Sequence, residues 1–197
     1  MPNFEVKIMC KKLHDLDNWE PDDILLYSGI DSYPVDIDRI LKKLNIRTDS
    51  MDFSSIESRI PDVIKLRGSI LGAVTIIGDD VNIFYCEGST ENRRRFTLAH
   101  ELAHCCQNAS SLKKGHIEFR FDENTLDKKE LAANIFAGQL LIPEKQLRKL
   151  YDELVIPALD VLAHEFQVSI HVMEERLKHL GLGYYAPQNY DSVAGDC

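Results

Sequence analysis

Apolar positions along this chain switch between two spacings, and the switches mark its elements. Early on, Pro21-Asp22-Asp23 predicts the start of a short helix that Ser28-Gly29 closes. After Pro34, the residues Val35, Ile37, Ile40, Leu41 and Leu44 recur at helical spacing until Asn45. Residues 46–69 are mixed and show little periodicity. From Ser69 to Ile77 the chain is apolar and β-branched, Gly78-Asp79-Asp80 is a tight-turn signal, and Val81 to Cys86 alternates, so 69–86 reads as a hairpin. Thr90 or Asn92 then caps a helix reaching about Gln107. A polar loop (108–114) and a short alternating run from His116 to Phe121 follow. Four more helices are predicted, over Leu126–Leu141, from Pro143 to Leu150, from Pro157 to Phe166, and from a Ser169 cap to Leu180 with Gly181 as the stop. Tyr184 to Cys197 is a polar tail. The mixture is α+β.

Size and charge narrow the function. A chain of 197 residues is one domain, or one with a small appendage, and buries about 70% of its unfolded surface without covalent staples. Its net charge of −9 argues against broad affinity for nucleic acid or membranes. The basic run Arg93-Arg94-Arg95 is the local exception, and reads as a solvated turn whose cations pair with nearby acids. Five cysteines with no CxxC spacing are expected to be reduced thiols. No secretory signal pattern and no apolar run of spanning length is present in the sequence, so a cytoplasmic location is expected.

One pentapeptide carries chemistry. His100-Glu101-Leu102-Ala103-His104 is an HExxH motif within a helical apolar run. Residues four apart share a helix face, so both imidazoles can reach one metal ion, with Glu101 beside them to take a proton from water. Cys105 and Cys106 lie about 100° and 200° round the helix from His104 and are expected as buried small side chains. His164-Glu165 begins a second such motif, but Val168 stands where its second His would be, which makes His164 a surface or packing residue. Catalytic zinc takes three protein ligands. Glu130 and Asn134 share a face of the next long helix, where Glu130 could complete the set and Asn134 could hold a ligand imidazole. From spacing alone an ordinary amphipathic helix with an exposed Glu is an equal reading.

Several blocks in order resemble the ImmA/IrrE family of metallo-endopeptidases. They are Pro34-Val35-Asp36-Ile37 with its helix, RFTLAHELAH at 95–104, ELAANIFAGQLLIP at 130–143, and LAHEFQVS at 162–169 followed by Arg176-Leu177. Two departures are Ala103, where the family often has Gly, and Ala132, where many members have a second acid. The resemblance implies a zincin-like core of helices on a small antiparallel sheet, with a C-terminal helical, helix-turn-helix-like subdomain. It divides the chain into an N-terminal extension (1–33), a metallopeptidase core (34–150), the helical subdomain (151–183) and a tail (184–197). It also implies Zn²⁺ held by His100, His104 and Glu130, with Glu101 as base. A protein substrate follows, in this family typically a helix-turn-helix repressor of a phage, mobile element or stress regulon, with no membrane partner. The substrate is expected to extend beside an edge strand of the 69–86 hairpin. His116 is a candidate transition-state stabiliser, with Tyr85 and Tyr151 as others, although an ordinary packed or surface role is the commoner one for each. His₂Glu sites also accept Mn²⁺, Co²⁺ or Fe²⁺.

Two other readings compete. Residues 158–180 form a helix, a Val168-Ser169 turn and a helix, which suits a DNA-binding regulator. Glu174 and Glu175 beside Arg176 and Lys178 deny the second helix a basic face, so direct nucleic-acid binding is not favoured. A metal-bound or metal-free interaction protein without turnover is the third reading, and the presence of Glu101 counts against it.

Overall fold

The alternation of Val81 to Cys86 and the β-branched run before it do form a hairpin, and a sheet is built around it. The computed structural model describes residues 16–77, 80–108, 117–121 and 128–186. Its strands are β1 (Ile46–Met51), β2 (Ile70–Ile77), β3 (Asp80–Cys86) and β4 (Ile117–Phe121), in the order β1-β3-β2-β4. The hairpin pair β2–β3 and the pair β2–β4 are antiparallel. β1 adds itself in parallel to β3, Ile46 beside Val81 and Met51 beside Cys86, so the sheet is antiparallel across three strands and mixed overall. β1 lies in the stretch that gave no periodicity, because of its six residues only Ile46 is fully buried. The hairpin therefore has no free edge. The expectation of a substrate beside one of its strands is corrected: the edges of this sheet are β1 and β4, and both hairpin strands are already paired on either side.

The two faces of the sheet bury different sets of side chains. Val74 and Ile76 of β2 and Val81 and Ile83 of β3 belong to the main core. On the opposite face Ile70 and Ala73 join Phe53, with Phe84, Phe119 and Phe121 packed against them. Two short helices in the unperiodic stretch, α3 (Ser54–Glu57) and α4 (Pro61–Arg67), supply Ile56 and Ile64 to that second cluster. Ile70 and Ala73 are three apart, and strict alternation would send them to opposite faces. A bulge between Ile70 and Gly72 reconciles them: Ile70 faces Phe121 and Gly72 faces Arg120, so Leu71 is the extra residue.

Helices cover the main-core face. α1 (Pro21–Ser28) and α2 (Ile37–Lys43) precede the sheet, and α5 (Glu91–Asn108) lies across it. α6 (Lys128–Leu141) packs along α5, and α7 (Glu144–Glu153), α8 (Leu159–Phe166) and α9 (Ile170–Leu180) complete the layer. One apolar cluster includes Leu16 and Ile24 at one end of the described chain and Phe166 and Leu177 at the other. Each such fully buried side chain contributes about 1.5–3 kcal/mol by leaving water. Ser169 caps α9 by accepting from Val172 N–H at 3.3 Å, and Gly181 ends it at a φ of 65°, a left-handed position that glycine takes without strain.

The basic run is corrected. Arg93 to Arg95 lie in the first turns of α5, not in a turn between elements. Arg94 does pair with acids, Asp38 and Glu91. Arg95 instead is buried, and its guanidinium donates to the carbonyls of Gln167 at 3.1 Å and Phe166 at 3.5 Å. Asn92 adds a bond to Val168 O at 3.2 Å. The α8–α9 turn is thus fastened to the start of α5. No helix among the described residues is long and apolar enough to cross a membrane.

Candidate metal centre

Thr90 stands just before α5, where its carbonyl accepts from Arg94 N–H at 2.8 Å and its hydroxyl accepts from Arg93 N–H at 3.4 Å. From there three turns of helix bring two faces into use. Thr97 and Glu101, four apart, turn toward β2; His100 and His104, also four apart, turn toward α6. All five of Leu98, Ala99, Leu102, Cys105 and Cys106 are completely buried between them. α5 and α6 pack along one another, with Ala99 and Ala103 on α5 and Ala133 and Ala137 on α6 fully buried. His164, by contrast, is exposed on α8.

Close packing brings three ligand atoms together. His104 Nε2 lies 3.0 Å from His100 Nε2, and Glu130 reaches His100 Nε2 at 3.1 Å through Oε2 and His104 Nε2 at 3.4 Å through Oε1. On the far side of the ring, His100 Nδ1 is 2.8 Å from Asn134 Oδ1. A carboxamide oxygen only accepts, so His100 Nδ1 carries the proton and its Nε2 presents a lone pair toward Glu130 and His104. Lone-pair atoms this close need a positive charge between them, a proton or a metal ion. Ligand bonds of about 2.0–2.1 Å in a tetrahedral site put neighbouring donors about 3.4 Å apart, close to the separations seen. The residues fit a metal ion.

Electrostatics agree with that role. Burial, and after it the charge of Arg120, push the His100 imidazole down to about 4, so it is neutral at physiological pH. Glu130 is held well below the usual carboxylate range, chiefly by the His100 and then the His104 imidazole nitrogens beside it. Ligands must be deprotonated to bind, and these two are.

Glu101 is 1% exposed, and its Oε1 lies against the backbone of β2 at Gly72. Arg120, on edge strand β4, donates to Thr97 Oγ1 at 3.4 Å and rests its guanidinium 5.6 Å from the centre of the Phe96 ring. Sequence reading passed over both Gly72 and Arg120. A signal existed for the glycine, since Gly inside a β-branched run marks a bulge or a close approach. His116 lies outside the described residues. Tyr151 donates its hydroxyl to Gly183 O at 2.7 Å, and Tyr85 packs beneath Arg94. A second ligand-like group, His171, Glu174 and Glu175, sits on the outside of α9, where Lys178 already bridges both carboxylates.

A family model described as the IrrE N-terminal-like domain, peptidase family M78, matches residues 76–178, just over half of the chain. The chain belongs to this family. M78 is a metallopeptidase family, and the matched segment holds His100, His104 and Glu130, the group able to hold a metal. Among solved structures, this M78 chain is similar to a Mycobacterium tuberculosis transcriptional regulator, with a TM-score of 0.50 and 20% identity. That alignment covers 86% of this chain and 48% of the regulator, so the chain spans about half the length of that protein, and the likeness is one of fold. No curated protein matches the chain.

Proposed function

We propose that this M78 chain is a zinc-dependent endopeptidase that hydrolyses a peptide bond in a specific protein, a helix-turn-helix transcriptional repressor of a phage, mobile element or stress regulon. The observation that carries the metal-dependent part is the convergence of His100 Nε2, His104 Nε2 and the Glu130 carboxylate, with Asn134 fixing the tautomer of His100. The repressor substrate rests on the family resemblance.

His100, His104 and Glu130 would hold the zinc. Bound there, the ion supplies Lewis-acid chemistry, polarising a carbonyl and bringing the pKa of a water from about 15.7 to about 7. Glu101 follows His100 directly on α5, in a site from which solvent is nearly excluded. Its carboxylate accepts the proton of the attacking water and returns it to the departing amine. Asn134 keeps the proton of His100 on Nδ1, so that Nε2 stays a donor atom for the ion.

The test has two readouts. The wild-type chain is expected to hold one zinc, Glu130→Ala to hold it far more weakly, and Glu101→Gln to hold it normally. Cells expressing the wild type should show new protein N-termini that cells expressing Glu101→Gln lack. Equal cleavage by the Gln variant would remove Glu101 from the mechanism, and equal zinc in the Ala variant would move the third ligand elsewhere. The regulator reading gains no support from α9, whose buried face is Met173, Arg176 and Leu177 and whose outer face carries Glu174 and Glu175.

A further inference from the structure

Strand β2 passes beneath α5 with one residue that has no side chain. A Cβ added at Gly72 would lie 2.8 Å from Thr97 Cγ2, 3.1 Å from Glu101 Oε1 and 3.1 Å from Phe84 O. The three contacts differ in how they can yield. Phe84 O belongs to the backbone of β3, paired on both sides within the sheet, and stays where it is. Thr97 and Glu101 are both almost fully buried on α5, so they would have to give way. The bulge at Leu71 is what brings residue 72 to this face while Ile70 and Ala73 stay together on the other.

We propose that Gly72, set toward α5 by the Leu71 bulge, is a positioning residue for Glu101: the space of its absent side chain seats the carboxylate against the sheet. This rests on the reading of Glu101 as the base. The arrangement separates two jobs on one helix. The ligand face of α5 meets α6, and the Glu101 face meets β2. Filling the space at residue 72 therefore displaces the carboxylate by a few tenths of an ångström while leaving the three ligand atoms in register. Displacements of about 1 Å cost on the order of a hundredfold in rate, so a few tenths cost roughly three- to fivefold on the same logarithmic scale, and the seat matters to catalysis even though Gly72 touches no ligand.

Cobalt(II) titrated into the purified full chain is the probe, because His₂Glu sites accept it and its visible absorption reports on the surroundings of the ion. Wild type and Gly72→Ala are expected to bind one equivalent with closely similar affinity. The pH midpoint of the absorption change in Gly72→Ala should move from the wild-type value toward that of Glu101→Gln, by about half a pH unit or more, as expected when one nearby charge is misplaced. Thr97→Ser removes the methyl group 2.8 Å from the site and keeps the hydroxyl that accepts from Arg120. Combined with Gly72→Ala it should restore thermal stability and leave the midpoint displaced; if Gly72→Ala does not fold alone, this pair carries the test. A wild-type midpoint in either variant, or loss of cobalt affinity together with the midpoint, overturns the proposal and leaves Gly72 a packing residue. Wild type that binds no cobalt, or a midpoint unmoved in Glu101→Gln, defeats the metal-site or base reading instead.

Discussion

Asn134 shows how much a single oxygen can decide. It touches none of the ligand atoms that face the metal position, yet its 2.8 Å contact with His100 Nδ1 determines which nitrogen keeps the lone pair. Removing it frees the imidazole to take the other tautomer and to turn. Asn134→Ala is expected to weaken zinc binding about 10–100-fold, read by competition with a chromogenic chelator. A second residue-scale expectation concerns Ala103, which is fully buried on α5. Ala103→Leu forces extra volume into the filled core and should cost about 1–3 kcal/mol of stability, measured by denaturant unfolding. The family's frequent Gly at this position is smaller still, and Ala103 is accommodated without exposure. These roles were legible in the sequence to different degrees. His100 and His104 announce themselves by a spacing of four. Glu130 and Asn134 have the same spacing, but acids and amides occur on many helices, and only contact across the helix pair separates a ligand from a solvated side chain.

Among the elements, those whose apolar stripes face one core could be read directly, and those serving two neighbours could not. The hairpin, α5, α6 and α9 follow from periodicity and caps, with Thr90, Ser169 and Gly181 as boundaries. β1 escaped because it is an edge strand with one buried residue in six, and edge strands need little apolar pattern to pair. α3 and α4 are too short to establish a period. Arg95 was misread for a related reason: in sequence it is one of three cations, and only the fold reveals that the carbonyls ending α8 meet it at the start of α5. Arg95→Ala should lower stability by about 1.5–3 kcal/mol, the range for hydrogen bonds to a charged group, measured as a shift in unfolding midpoint. Arg94→Ala removes ion pairs with the exposed carboxylates of Asp38 and Glu91 and should cost about 1 kcal/mol, less than the loss of Arg95.

For the molecule as a whole, acid is the expected point of weakness. In the unfolded chain His100 takes up a proton near its ordinary value of about 6.5, whereas in the folded chain burial delays this to about 4. Between those values the unfolded state binds more protons, so stability falls as pH drops from about 6.5 to about 4 and this contribution levels off below. Glu130, held low in the folded state, adds a loss of the same sign as pH falls through the carboxylate range. Unfolding of the metal-free chain followed from pH 7 to pH 4 should show that slope, and His100→Asn should flatten its upper part. The ligands are also unequally hidden. The side chain of His100 is 0% exposed and that of Glu130 33%, so the three bonds to an ion would not be equally easy to reach. Of the three side chains, Glu130 is the one open to solvent. A chelator in solution is expected to meet the Glu130 side first, and to draw the ion out as that carboxylate swings aside while the buried imidazoles stay fixed. On the proposed ligand set, Glu130 both completes the site and sets how long it stays filled, and shortening it to Asp should change the off-rate of the ion more than its geometry at rest.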